Sequence, residues 1–297
     1  MRASIFGVAI AALLLTCVVA AETADPGFTA VPIAQSVTVL QGYECNIAAS
    51  AGDDGIVLVD TCGAKVADKL LVAAQRLSAR PLRFVINTHA HGDHSGGDAV
   101  LQKHAPVIAH HTVRKRMAAG NEVTGDKPSS PEALPVITFD GEVILHLNEE
   151  EIRLLTLPPG HTDGDVVVFF KNANVVCVGD VFMPPAASFG DRWYGGGALR
   201  LIDSLEFLLP QIPEGAKIVP GHGKISTRAD IVRGLEVLKR MKAVVESAVR
   251  AGKTLPQLTA ERPFDQWRGS VPAWSSSDKS LDGWVKNFYR EISPQPD

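Results

Sequence analysis

Four apolar runs in this chain each end abruptly on an imidazole or a carboxylate. "RFVINT" (83–88) leads into His89-Ala90-His91, "EIRLLTLPPG" (151–160) into His161, "NVVCVG" (174–179) into Asp180 and "AKIVPG" (216–221) into His222. Layered α/β folds gather their ligands beyond the C-terminal ends of buried strands. A chain that places ionisable groups at four such ends is therefore built to bring those ends together. Proline and glycine stop a ladder, and glycine lets the backbone turn so that the next side chain points inward. Pro-Gly-His does this twice, at 159–161 and 220–222.

The stretch between the first two ends is the densest in chemistry. "NTHAHGDHSGG" (87–97) holds His89, His91, Asp93 and His94 within six positions. His89 and His91, two apart on an extended segment, share a face. Asp93 and His94, adjacent at the start of a helix, can reach a second centre beside the first. A lone His161 would ordinarily be a hydrogen-bonded structural residue, and a lone Asp180 a turn or a cap. The joint pattern points to metal. Five histidines with Asp93 and Asp180 exceed one tetrahedral ion, but suit two divalent ions sharing a carboxylate. The absence of cysteine from the set favours zinc over a thiolate-seeking metal. His104, His110, His111 and His146 lie off the strand-end pattern, and surface or packing roles are expected for them.

The rest of the chain reads as strands and helices without a low-complexity break. A β-meander spans residues 36–61 after a loose leader at 22–34. Helices are expected over 65–79, 96–105, 111–120, 198–212, from Arg228 onward and over 280–292, with strands between. Thr227 is placed to cap the Arg228 helix, with Asp230 in its first turn. The polar stretch 119–134 and the aromatic, Gly-rich stretch 184–197 read as loops, the second offering Phe189, Arg192, Trp193 and Tyr194 for substrate contact.

The N-terminus reads as a secretory signal. Arg2 supplies a short positive region, residues 5–19 an apolar run, and Val19-Ala20-Ala21 a small-residue cleavage site. The apolar run could just span a bilayer as an anchor. The small residues before Glu22 favour cleavage instead. Residues 1–21 are thus expected to be removed, leaving 22–297 as one exported domain, periplasmic or secreted, with no stable membrane insertion. The formal net charge of −4 offers no general attraction to nucleic acid or anionic lipid, so a small molecule is the expected partner. Export permits a disulfide. A hairpin turn at Asp53-Asp54 would set Cys45 opposite Cys62, whereas a turn at Asp54-Gly55 would leave them diagonal. Cys177 reads as a buried apolar residue.

These motifs resemble the metallo-β-lactamase superfamily. "HAHGDHSGG" is similar to its H-x-H-x-D-H signature, "PGHTDGD" to its next histidine motif, "VGD" to its bridging aspartate and "PGHG" to its final histidine. Asp60 in "IVLVDT" resembles an aspartate that buttresses the metal loop. The resemblance runs from about residue 38 to 250. It implies an αββα sandwich, two mixed β-sheets flanked by helices. It further implies a first zinc on His89, His91 and His161, a second on Asp93, His94 and His222, with Asp180 bridging and Asp60 behind the ligands.

That resemblance implies a binuclear zinc hydrolase in which the ions activate water against a carbonyl. Asp93 would orient the water and shuttle its proton. The carbonyl could belong to a β-lactam, a lactone, an ester or a thioester. Asp180 matches the thioesterase and lactonase branches, while export matches the β-lactamases. A mononuclear iron persulfide dioxygenase is the alternative within the same superfamily.

Overall fold

The uninterrupted apolar runs become strands whose alternate residues enter two different cores. In β10 (Val166–Phe170), Val166, Val168 and Phe170 face one core, and Val167 and Phe169 another. A strand buried on both faces needs a packed layer on each side of its sheet. The computed structural model describes residues 27–185, 189–271 and 277–294, and the expected signal at 1–21 lies outside them.

Two mixed sheets form the inner layers. The first contains, in spatial order, β1 (Thr29–Pro32), β2 (Val37–Gly42), β3 (Cys45–Gly52), β4 (Gly55–Val59), β5 (Leu82–Ile86), β6 (Val107–His110) and β7 (Ile137–Phe139). Its first four strands form an antiparallel meander, and β4 through β7 run parallel. The second sheet is ordered β13 (Ser226–Thr227), β12 (Lys217–Pro220), β11 (Val175–Gly179), β10, β9 (Glu150–Thr156), β8 (Glu142–Leu147). Only its β11–β12 pair is parallel.

Val57, Ile86 and Ile108 of the first sheet meet Leu154, Val168 and Cys177 of the second in the central core. On the outer face of the first sheet, Ile56 and Leu58 carry α1 (Ala67–Gln75) and α3 (Asp98–Leu101) through Leu70 and Leu101. The outer face of the second lies under α5 (Ala198–Leu208), α6 (Arg228–Arg250), α7 (Leu255–Ala260) and α8 (Asp278–Ile292). The short α2 (Gly92–Ser95) and α4 (His111–Ala119) follow β5 and β6. The layers are helix, sheet, sheet, helix, as the motifs implied. No helix among the described residues is long and apolar enough to cross a membrane.

Three local features depart from or decide the sequence reading. Residues 29–32, expected to be part of a loose leader, form an edge strand on β2, with Pro32 opposite Thr38. Proline is tolerated there because an edge strand needs a ladder on one side only. The helix α7 was not anticipated. It is short, and its start is marked by a Thr254–Gln257 capping box. The β3–β4 hairpin turns at Asp53-Asp54, pairing Gly52 with Gly55, and Cys45 is joined to Cys62 in a disulfide. Cys177 is buried, and that burial pushes its thiol pKa up.

The parallel strands carry their C-terminal ends to one edge of the sandwich. Backbone hydrogen bonds latch the two sheets there. Val166 N–H donates to Thr88 O, and Asn46 N–H to Gly221 O, each at 2.8 Å.

Candidate metal centre

Each site residue lies in a segment that follows a strand. β5 ends at Ile86, and buried Asn87 donates from Nδ2 to Asp98 Oδ1 at 3.1 Å, closing the loop 87–98 on itself. His91 caps α2, whose single turn carries Asp93 and His94. β11 and β12, side by side and parallel, deliver Asp180 and His222. The approach is close enough to demand glycine. A Cβ on Gly221 would lie 2.3 Å from Asp180 Oδ1 and 2.5 Å from His94 Cε1.

The seven candidate ligands converge as two triads. His89 Nε2 and His161 Nε2 each lie 3.1 Å from His91 Nδ1. In the second triad, His222 Nε2 lies 3.1 Å from both His94 Nε2 and Asp93 Oδ2. Asp180 stands between them, its Oδ2 3.8 Å from His161 Nε2 and 3.5 Å from His222 Nε2. Tetrahedral zinc with bonds of about 2.0–2.1 Å to nitrogen separates its donors by about 3.4 Å, so these spacings fit. Asp180 Oδ1 is buried without a well-aligned hydrogen-bond donor, with His94 Nε2 3.4 Å away, as expected of a carboxylate kept for a cation. The donor set suits zinc or a similar divalent ion.

All five imidazoles are held from behind. His94 Nδ1 bonds Asp60 Oδ2 at 2.8 Å, and Asp60 also accepts from Thr88 N–H and from Thr88 Oγ1. Thr88 Oγ1 lies 3.1 Å from His89 Nδ1. His161 Nδ1 donates to Phe189 O at 2.6 Å, and His222 Nδ1 to Glu44 O at 2.5 Å. His91 Nε2 lies 3.1 Å from Asp191 Oδ2. Such contacts set the tautomer and aim the other ring nitrogen at the centre.

The sequence pattern of the Metallo-beta-lactamase superfamily matches residues 41–222. The chain belongs to that superfamily. Its curated relatives within the superfamily include a hydroxyacylglutathione hydrolase of Prochlorococcus marinus, 25% identical over 61% of this chain and 68% of its own length. A probable metallo-hydrolase of Methanocaldococcus jannaschii is 28% identical over 63% of this chain and 91% of its own. A solved metallo-beta-lactamase from Pontibacter korlensis superposes with a TM-score of 0.62, covering 71% of this chain and 99% of that one at 19% identity. That likeness concerns the fold.

The superfamily's site here is electrostatically divided. Burial and the surrounding imidazoles hold His89 well below its ordinary pKa, and burial with His91 holds His161 at about 4. Both are neutral donors at pH 7. Burial opposes charging of His94 and His222, but facing carboxylates outweigh it. Asp180 and Asp60 hold His94 up, and Asp93 with Asp180 holds His222 at about 9. Asp93 and Asp180 are held low against burial by those same histidines, so both are carboxylates.

A cavity of about 650 Å³ opens over the centre. Its wall includes Met183, Pro184, Phe189, Glu44 and Gly223, with Gly223 close against Pro184. Of the aromatic loop, Phe189 lines this cavity. Tyr194 is buried behind the site, its ring centroid 4.4 Å from that of His91, and its hydroxyl donates to Asp126 Oδ2. Trp193 is outside, stacked under the Arg192 guanidinium at 4.1 Å. His110 and His111 lie with Asp140 in a separate cluster. Asp191, Thr88 and Glu44 were missed by the sequence reading, because none follows a strand with the punctuation that marked the ligands.

Proposed function

We propose that this chain is an exported binuclear zinc hydrolase acting on the carbonyl of a small ester, thioester or lactone. The observation that carries the reading is the placement of Asp180 between two complete triads at the floor of an open cavity. His89, His91 and His161 would hold one ion and Asp93, His94 and His222 the other, with Asp180 shared. Bound there, the ions supply Lewis acidity toward a carbonyl and acidify water. Structural zinc sites are closed, whereas catalytic ones keep an open position.

The chain's own groups have separable tasks. Asp93 is half exposed to the cavity and ionised, so its Oδ2 can accept a proton from attacking water and return it to the leaving oxygen or sulfur. The water oxygen bonds to the carbonyl carbon while the bond from that carbon to the leaving atom breaks. Met183, Pro184 and Phe189 exclude water beside the reacting carbonyl. The curated hydroxyacylglutathione hydrolases are named for a thioester substrate, which supports an acyl-transfer substrate here.

Elemental mass spectrometry of protein purified without added metal, followed by ester, thioester, lactone and β-lactam panels, tests the reading. About two zinc per chain and hydrolysis that chelator abolishes and zinc restores are expected. One iron per chain with persulfide-dependent oxygen uptake overturns it. Export is tested by sequencing the N-terminus of protein recovered outside the cytoplasm, where Glu22 is expected first.

A further inference from the structure

The cavity over the metal centre is lined by both apolar and acidic residues. Phe189 flanks the first triad, its ring centroid 5.1 Å from that of His161, and Met183 and Pro184 add further apolar lining, Pro184 lying close to Gly223. On the side of the second triad stands Glu44, at the tip of the β2–β3 hairpin. Asp93 and Asp180 face the triads, which leaves Glu44 as the carboxylate free to meet a substrate. Among the described residues, no lysine or arginine lines this cavity, and the segments outside the description contain one basic residue, Arg2. Lys224, which follows the cavity-lining Gly223, is exposed, while two other nearby cations are held by their own partners. Lys69 Nζ donates to Tyr43 Oη at 2.8 Å, and Arg116 is paired with Asp163.

The hairpin that presents Glu44 is not built for ease of folding. Gly42 pairs with Cys45, so Tyr43 and Glu44 form a two-residue turn, with φ of 51° and 65°. Left-handed pairs of this kind favour Asn-Gly or Asp-Gly. Residues with a side chain in such a conformation cluster at functional sites. The backbone carbonyl of residue 44 would anchor His222 Nδ1 whatever the side chain. What glutamate adds is a carboxylate on an exposed residue of the cavity lining.

We infer that the site selects acyl substrates that join an apolar portion to a cationic or hydrogen-bond-donating portion met by Glu44, and that it discriminates against anionic ones. The inference rests on the hydrolase reading above. It separates this chain from relatives named for glutathione thioesters, since glutathione carries two carboxylates and one ammonium at neutral pH.

The test uses metal-loaded protein and thioesters of one apolar acyl group with three leaving thiols: cationic thiocholine, neutral mercaptoethanol and anionic mercaptoacetate. In the native protein, kcat/KM is expected to fall roughly fivefold at each step from cation to anion, carried by KM and weakened by salt. Glu44→Gln should flatten the order and Glu44→Lys reverse it. Ratios are taken within each variant, so a general loss of activity cancels. Equal or faster turnover of the anionic thioester, or an order unchanged in Glu44→Gln, overturns the inference. Calorimetric binding of the matched non-hydrolysable thioethers separates the two readings. Cation-selective, Glu44-dependent binding without any hydrolysis would sink the hydrolase reading and leave the selectivity standing. Thioether binding with no charge order would overturn the selectivity alone.

Discussion

His91 Nε2 lies 3.1 Å from Asp191 Oδ2, across 100 positions of sequence. The contact joins a candidate ligand to the loop that also forms the cavity wall. Asp191 ties that loop to itself and to the segment that carries His161. Its Oδ1 accepts from Trp193 N–H at 2.8 Å, and its own N–H donates to His161 O at 2.7 Å.

Asp191→Ala should therefore loosen His91 and weaken metal binding at the first triad by about 10- to 100-fold, the usual cost of losing a partner behind a ligand. Competition against a chromophoric zinc chelator measures this directly. Asp191→Asn, which keeps an acceptor, should recover part of the loss. Equal affinity in Asp191→Ala and native protein would show that His91 is oriented by packing alone.

Asp60 carries a heavier share of the structure. It is buried, holds φ at 70°, and accepts from Thr88 N–H, Thr88 Oγ1 and His94 Nδ1. Asp60→Ala leaves those donors unpaired in the interior, each costing about 1–3 kcal/mol. Urea unfolding of metal-free protein should show a loss of about 3–5 kcal/mol. A loss below 1 kcal/mol would mean that water replaces the carboxylate.

The metal ligands were legible because their chemistry is written locally: a strand, a Pro-Gly or Gly stop, then the ionisable residue. His161, Asp180 and His222 follow that grammar, and His89 and His91 follow their strand through Asn87-Thr88 without a glycine stop. The contacts behind them were largely invisible, since Asp191 and Glu44 meet their histidines through loops whose path depends on the whole sandwich. Phe189, Trp193 and Tyr194 belong to one loop, and sequence alone did not tell which would line the cavity. The αββα layering was legible in strands such as β10, whose apolar residues have no polar face to offer solvent. The β1 edge strand was not, because four half-exposed residues ending in proline carry little pattern.

The metal-free protein should lose stability as pH rises above about 7. His222 faces Asp93 Oδ2, Asp180 Oδ2, His94 Nε2 and the Glu44 carbonyl, and its folded pKa of about 9 exceeds the unfolded value of 6.5. Its protonated form stabilises the fold fully below pH 6.5, and that contribution is lost as pH rises through 9. The raised His94 acts in the same direction. His161, lowered to about 4, changes charge below this window. The upper bound for His222 is about 3 kcal/mol. Metal binding has the opposite slope, because ligands must shed protons. Urea midpoints at pH 7, 8 and 9 in chelator read the first effect, and His222→Gln should reduce it to the share carried by His94.

Gly221→Ala tests how tightly the two sheets must close on the centre. The added methyl would overlap Asp180 Oδ1 and the His94 ring, and Gly221 is fixed from both sides. Its N–H donates to Gly179 O, and its carbonyl accepts from Asn46 N–H, each at 2.8 Å. Relief therefore requires moving a candidate bridging carboxylate or a ligand of the second triad rather than a flexible side-chain tip. The expected result is a folded protein, destabilised by about 1–3 kcal/mol, that retains one tightly bound ion and holds the second at least tenfold more weakly. Metal stoichiometry after dialysis, alongside the thermal midpoint, distinguishes this from general unfolding. Two tightly held ions in the variant would show that the β11 and β12 ends have room to spread, and that glycine at this position serves the turn rather than the metal centre.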